Sequence, residues 1–422
     1  MGGKISSSSY GSDYSGAYTA SDAEVDQTLW QDDDMLIVFS AGNDGSGART
    51  IGHPGHSKHA LTVGALGANT SNSMSNSVIW CSSRGPTSDG RRKPDIMAPG
   101  VGIVSARGNT INTNPPSDPN QATTQTMDGT SMATPITAGG AALARQYFED
   151  GFYPTGTSTL PDARSPLGAE LKAVLLNGTA FIGGAPDNNY GWGRVWLDNN
   201  LFFPGDARKL RSFAKRQDVG IAQGETDEYT VQVAAGQEFR ATLTWYDPPA
   251  APGLAGRALI NDLDLEVVAG ANTYKGNVFS GAQSATGGSA DTINPVEQVR
   301  LTSPTAGTYT IRVRGTQVPG DGSPYSERQG YALAVSAGGS ASAVSAAPAT
   351  VSAANVAGEI TVTASAVGGA TGYQLYRADG TCTQANALDF QLVEHGNGPA
   401  LIDALTQGGY TYAYKVRGVD AN

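Results

Sequence analysis

Gly129-Thr130-Ser131-Met132-Ala133-Thr134-Pro135 sets a serine between a glycine turn and the start of a helix. A serine hydroxyl is a weak nucleophile until a base takes its proton. A helix N-terminus, however, offers unpaired backbone N–H groups and the positive end of the dipole, so negative charge is favoured beside it. That is where an oxyanion develops during acyl transfer. Pro135 is read as lying in the first turn, where a missing N–H costs little. The Ala- and Gly-rich run Ile136 to Tyr147 that follows allows close packing inside a core. A turn plus a helix cap is the bland alternative for Gly-Thr-Ser alone in a chain with 55 glycines; the seven-residue string is far more specific.

With its neighbours, the string resembles the nucleophile motif of the subtilisin-like serine proteases. Ser40-Ala41-Gly42-Asn43-Asp44-Gly45 follows the apolar run Met35 to Phe39, and Arg84-Gly85-Pro86, Lys93 to Gly100 and Tyr190-Gly191-Trp192-Gly193-Arg194-Val195 resemble further segments of that family in the required order. The likeness runs from Ile5 to Leu201 and continues more weakly to Ala337. It implies that Ser131 is the nucleophile and that the Asn43 side-chain amide and the Ser131 N–H hold the oxyanion. It also implies that Ser9-Tyr10-Gly11 and Ala41-Gly42 pair with an extended substrate backbone, and that His53-Pro54-Gly55 lines a specificity pocket, commonly one for large apolar side chains. Protein or peptide substrates follow, and the chemistry needs no cofactor.

The family uses Asp, His and Ser in that chain order, and only the serine is found. No His-Gly-Thr-His type string occurs. His53, His56 and His59 follow Asn43, on the wrong side of the oxyanion residue for a general base, and His395 lies far downstream. The spacing of His53, His56 and His59 suits metal ligands on a helix, but Pro54 and Gly55 break a helix there. Asp13, Asp22, Glu24 and Asp26 lie too close to the Asn43 strand to be the catalytic acid. Ser21-Asp22-Ala23-Glu24 reads as a capping box for a surface helix with the apolar pair Val25 and Leu29, and Asp32-Asp33-Asp34 as a solvated acidic loop. Met1 to Tyr10 carries no secretory signal. One cut upstream explains all three absences. The expectation is therefore a truncated piece of a longer secreted, extracellular protease precursor, nearly inactive alone. The alternative is a non-catalytic scaffold that presents its β-modules to glycans or protein.

The elements that must position Ser131 alternate between strands (Ile5–Tyr10, Met35–Ser40, Ala60–Ala65, Gly102–Ala106) and helices (Asp22–Gln31, Ser131–Glu149, Pro166–Asn177). This pattern predicts an α/β domain over 1–203 whose parallel sheet is covered on both faces and is incomplete. Asn109 to Gln125 reads as a surface loop. From Pro204 the apolar period becomes two, as in Tyr229/Val231/Val233, Phe239/Ala241/Leu243/Trp245, Leu263/Leu265/Val267, Tyr309/Ile311/Val313 and Tyr331/Leu333/Val335. That pattern predicts an antiparallel β-sandwich over 204–337, jelly-roll-like by the family resemblance. A linker over 338–349 and a partial fibronectin type III-like β-sandwich over 350–422 follow. In Asn261-Asp262-Leu263-Asp264-Leu265 the leucines face the core, and Asp262 and Asp264 share the outward face as a candidate structural calcium site.

Across 422 residues the formal net charge is −11 and the pI about 4.8, while only 15% of residues are charged. This balance argues against nucleic acid and anionic membranes as partners, since both attract basic patches. No apolar run reaches the roughly 20 residues that span a bilayer. Cys81 and Cys382 fall in different predicted domains and do not define a disulfide framework. Asn69-Thr70-Ser71 and Asn177-Gly178-Thr179 match the glycan-acceptor pattern, a short match that occurs often by chance.

Overall fold

A computed structural model describes residues 3–12, 16–68, 74–107, 124–183, 186–254, 256–319, 327–339, 347–356, 359–404 and 406–419. The first sheet begins with β1 (Ile5–Ser8). After α1 (Ala20–Gln31) come β2 (Leu36–Ser40), β3 (Leu61–Ala68), β4 (Met74–Val78) and β5 (Ile96–Pro99). β1, β2, β3 and β5 are parallel, with Ser8 opposite Phe39, Val38 opposite Leu61 and Val63 opposite Ile96. β4 turns back antiparallel on β3. Every residue of β2 is buried, as the run Leu-Ile-Val-Phe requires of a strand covered on both faces.

The strand expected at Gly102–Ala106 forms as β6 (Ile103–Ala106) but leaves this sheet. It pairs antiparallel with β7 (Thr124–Met127) in a largely exposed ribbon. The place in the sheet is taken by Ile96, Met97 and Ala98, all fully buried, whereas Val104 is 62% exposed. Of the predicted surface loop Asn109–Gln125, residues 109–123 lie outside the described residues.

α1 also differs from expectation. It starts one residue before Ser21, with Thr19 as N-cap, and the Thr19 N–H donates to Asp22 Oδ2 at 2.8 Å. The box is thus Thr19/Asp22 rather than Ser21/Glu24, and Asp22 and Asp26 are buried with Leu29. The acidic run after α1 is not simply solvated. Asp33 pairs with Arg216 at 3.1 Å and Asp34 with Lys4, and burial pushes the Asp33 carboxyl up to about 6.

α2 (Thr130–Glu149) packs across β1, β2, β3 and β5. Its buried face of Ala133, Thr137, Ala138, Ala141 and Ala144 lets backbone approach sheet closely. α3 (Gly168–Asn177) is buried along its whole length because two layers cover it. One side meets α2 and β2; the other meets the strands Phe239–Thr244 and Tyr331–Gly338 of the next unit. Leu171, Val174, Leu175 and Leu176 are fully shielded, each worth about 1.5–3 kcal/mol of apolar burial. The polar residues of α3 are satisfied in place: Glu170 pairs with Arg164 and accepts from Ser212 Oγ at 2.5 Å. Asn177 is buried too, so the Asn177 acceptor pattern is not available to a glycan. Asn69 lies outside the described residues.

The period-two segments form two facing antiparallel sheets. One runs in the order Thr226–Val233, Gly307–Gln317, Asp262–Ala269, Asn272–Ser280, Gln283–Thr286; the other runs Val296–Leu301, Phe239–Thr244, Tyr331–Gly338, Arg208–Lys215. Their shared core includes Tyr229, Leu243, Leu265, Ile311 and Leu333. Leu210, Ala214, Tyr246, Val296, Ala332 and Ala334 instead complete the core of the first unit. Two further three-stranded sheets follow, Val351–Val356 with Glu359–Ala364 and Ala400–Asp403, and Gln391–Gly396 with Gly372–Asp379 and Tyr412–Val419. They close on Val362, Leu375, Leu401 and Val416. No helix among the described residues is long and apolar enough to cross a membrane.

Candidate active site

Ser131 is the second residue of α2, directly above the C-terminal ends of β1 and β2. Gly129 caps the helix at φ 132°, a conformation that favours glycine. A Cβ there would sit 3.3 Å from Asn43 Oδ1. Asn43, just past β2, lays its carboxamide oxygen on the helix start, where it accepts from Thr130 N at 3.0 Å and Thr130 Oγ1 at 3.1 Å. Thr130 Oγ1 is also within 3.2 Å of the Gly42 carbonyl. One of the four orphan N–H groups of the helix is thereby satisfied by a residue 87 positions away.

Pro135 lies one turn deeper than the sequence suggested, inside the helix. It has no N–H to donate to the carbonyl of residue 131. The Ser9 hydroxyl fills that role, donating to the Ser131 carbonyl at 3.1 Å. The residues expected to flank a substrate therefore converge. Ser9 touches Ser131; Tyr10 is 67% exposed and packs edge-on against Phe39; Ala41 pairs with Val63 and Gly52. Gly11 passes so close to the next turn that a Cβ would lie 2.8 Å from the His53 carbonyl. Ser12 and His53 exchange backbone hydrogen bonds at 3.1 and 2.9 Å, so the His53-Pro54-Gly55 turn is stitched to the segment after β1.

No histidine is hydrogen-bonded to Ser131 among the described residues. His53, His56 and His59 are buried and face α1. His53 Nδ1 lies 2.7 Å from Asp22 Oδ2 and 3.1 Å from His56 Nδ1. Burial drives the His56 and His59 imidazoles down to about 3, outweighing the opposing pull of Asp22 and Asp26. Asp26 organises the turn by accepting from Tyr18 Oη at 2.7 Å, Ser57 Oγ at 2.6 Å and His59 N at 3.1 Å. His395 lies against Phe213 and Tyr229, far along the chain. The signal for this cluster was present in the sequence as two acids four apart and three histidines at intervals of three. Neither set specifies the other, because their meeting depends on how α1 packs against the His53–His59 turn.

Asp262 and Asp264 do not share an open face. Asp262 is 2% exposed beside Arg257, and burial raises its carboxyl to about 6. Asp264 is half-buried and accepts from Thr316 Oγ1. Glu297 of the adjoining sheet is also buried close by, where its Oε2 accepts from Leu265 N at 2.7 Å. Asp262 Oδ1, Asp264 Oδ1 and Glu297 Oε1 are buried without hydrogen-bond partners among the described residues.

The site is thus an α/β domain in which a parallel sheet carries a serine at the N-terminus of a small-residue helix and an asparagine carboxamide is held against that N-terminus. Residues 1–193 match the model of the subtilase family, peptidase S8. The chain is similar to the serine protease/ABC transporter B family protein tagA of Dictyostelium discoideum, 30% identical over 249 residues that cover 56% of this chain and 14% of that protein. It is also similar to the serine protease AprX of Bacillus subtilis, 40% identical over 170 residues that cover 40% of this chain and 35% of that one. Among solved structures, fervidolysin from Fervidobacterium pennivorans aligns over 94% of this chain and 50% of its own, with 17% identity and a TM-score of 0.33. The chain spans only 14–16% of the length of the Dictyostelium relatives.

Proposed function

We propose that this chain is the nucleophile-bearing part of a secreted serine endopeptidase. The observation that carries this reading is the Asn43 carboxamide fixed by its oxygen to the start of the Ser131 helix. With Oδ1 committed to Thr130, the amide NH2 is the group left to meet an oxyanion, together with the Ser131 N–H. Ser131 Oγ attacks the scissile carbonyl, its proton passes to an imidazole, and the tetrahedral oxyanion rests on these donors until the amine leaves. None of the four histidines is placed to take that proton, so in this reading the base is a group other than these histidines. Backbone pairing along Ser9–Gly11 and Ala41–Gly42 suits extended peptides of many sequences.

Chemistry of this kind needs no cofactor. Structural calcium at Asp262 and Asp264 is part of the same reading, supported by their unpartnered buried oxygens.

The test is peptide hydrolysis by the natural full-length protein and by its Ser131→Ala variant. A loss of about 10⁶ in turnover is expected, the size known from the triad of subtilisin itself, and the 422-residue chain alone should be slow with or without the substitution. Equal turnover by full-length wild type and variant overturns the proposal. Absence of hydrolysis in both would instead favour the non-catalytic scaffold, whose β-modules bind glycan or protein.

A further inference from the structure

We infer that Asp22, His53 and His56 form a buried site for a divalent transition metal of the zinc class. One ligand atom from each lies within 4.8 Å of the other two, and all three residues are buried. The site joins the first turn of α1 to the His53–His56 turn, elements that no single segment of sequence brings together.

The argument rests on counting protons. A neutral imidazole carries one N–H and one lone pair. His53 Nδ1 faces Asp22 Oδ2 at 2.7 Å, His56 Nδ1 at 3.1 Å and Thr19 Oγ1 at 3.2 Å. If His53 Nδ1 donates to the carboxylate, the His56 Nδ1 lone pair points at a nitrogen whose proton is already given away. If it accepts from His56 instead, its own lone pair faces a carboxylate oxygen at 2.7 Å. With both rings neutral, either assignment sets a lone pair of one ring against the cluster. Thr19 already supplies Asp22 Oδ2 with two donors, N–H at 2.8 Å and Oγ1 at 2.7 Å. Asp22 Oδ1 is buried with no hydrogen-bond partner among the described residues.

Two imidazole lone pairs and a carboxylate around one point form a ligand set that Zn²⁺ accepts, with bonds of about 2.0–2.2 Å. On a tetrahedron of that size ligand atoms stand roughly 3.3–3.5 Å apart; the 3.1 Å between His53 and His56 is a few tenths of an ångström short of this, and the 2.7 Å from His53 to Asp22 Oδ2 roughly 0.6–0.8 Å short, which leaves the unpartnered Oδ1 as the oxygen free to ligate. Thr19 acts as the outer partner that orients the carboxylate. Because His53 also pairs through its backbone with Ser12, beside Gly11, the ion would clamp the wall of the substrate groove to α1.

The test uses the 422-residue chain, stripped with a chelator and titrated with ZnCl₂ by calorimetry, with metal content measured after gel filtration. One equivalent of tightly held Zn²⁺ is expected. His56→Gln and Asp22→Asn, each checked for folding by circular dichroism, should weaken binding by more than the roughly 10–100-fold that loss of an outer partner costs. Thr19→Ala should weaken it within that range, and His395→Ala not at all. Failure of wild type to retain an equivalent of Zn²⁺ overturns the site whatever the variants do. So does undiminished binding by folded His56→Gln, which would place the metal elsewhere.

Discussion

The Ser9 hydroxyl donates to the Ser131 carbonyl at 3.1 Å, in the position an amide N–H would occupy had residue 135 not been proline. The end of β1 is thereby tied to the first turn of α2 from one side, while Asn43 ties it from the other through Thr130. Ser131 rests on a helix start fixed by two separate strands, the rigidity that the proposed oxyanion site would require.

The sharpest consequence concerns Asn43. Asn43→Ala in the natural full-length protein should lower kcat by about 10²–10³, with KM little changed, because the lost donor acts on charge that exists only in the transition state. The magnitude is the one known for the matching residue of subtilisin, not a value specific to this chain. Steady-state kinetics on a peptide anilide checks it, and an unchanged kcat would remove Asn43 from the oxyanion site.

Lys58 and Asp247 pair across the boundary between the first unit and the sandwich, both fully buried. The lysine ammonium also donates to the Pro248 carbonyl at 2.5 Å and the Ala258 carbonyl at 3.1 Å. Lys58→Met leaves the Asp247 charge in the interior uncompensated and should cost about 3–5 kcal/mol. Urea denaturation followed by tryptophan fluorescence measures it. A loss below 1 kcal/mol would mean that water reaches Asp247.

His59 gives the protein an acid limit. Its folded-state pKa is lowered to about 3 by burial, against the pull of Asp26 and with that of Lys58 and Lys172. The unfolded chain takes up a proton near pH 6.5 and the folded chain does not. Stability contributed by the neutral ring is therefore complete above about pH 6.5 and falls by up to about 1.4 kcal/mol per pH unit as pH drops toward 3. His59→Gln should flatten that part of the profile. Chemical denaturation at a series of pH values decides, and an unchanged slope in the variant would refute the assignment.

Calcium should stabilise the sandwich if Asp262 and Asp264 hold it. Saturation at a hundredfold excess over Kd adds about 2.7 kcal/mol, and neutralises a carboxylate cluster in which Asp262 is raised to about 6. Thermal melts with calcium and with chelator should therefore separate in wild type and coincide in Asp264→Asn. Coincident melts in wild type would leave these acids without an ion.

The glycine turn before Thr130, the helix it opens, the buried strand before Asn43 and the alternating strands after Pro204 are legible in the sequence because each is a local pattern. Gly129 needs a backbone conformation that glycine reaches easily, β2 needs an unbroken apolar run, and a half-buried strand needs a period of two. These are properties of neighbouring residues, and sequence carries them directly. Which strand joins the sheet was less legible: Gly102–Ala106 lost to Ile96–Pro99 because burial on both faces selects the more apolar run, a competition settled only when both are packed.

Contacts between distant positions were decided by the tertiary structure alone. Asp22 and Asp26 looked like exposed helix acids until α1 turned that face onto His53, His56 and His59. Asp262 reads as outward-facing in the strand pattern, but packing buries it beside Arg257. Ser9 was expected to bind substrate, and its bond to the Ser131 carbonyl emerged once β1 lay beside α2. In each case the interaction joins side chains whose meeting depends on how elements stack, and stacking is set by the summed burial of the whole core.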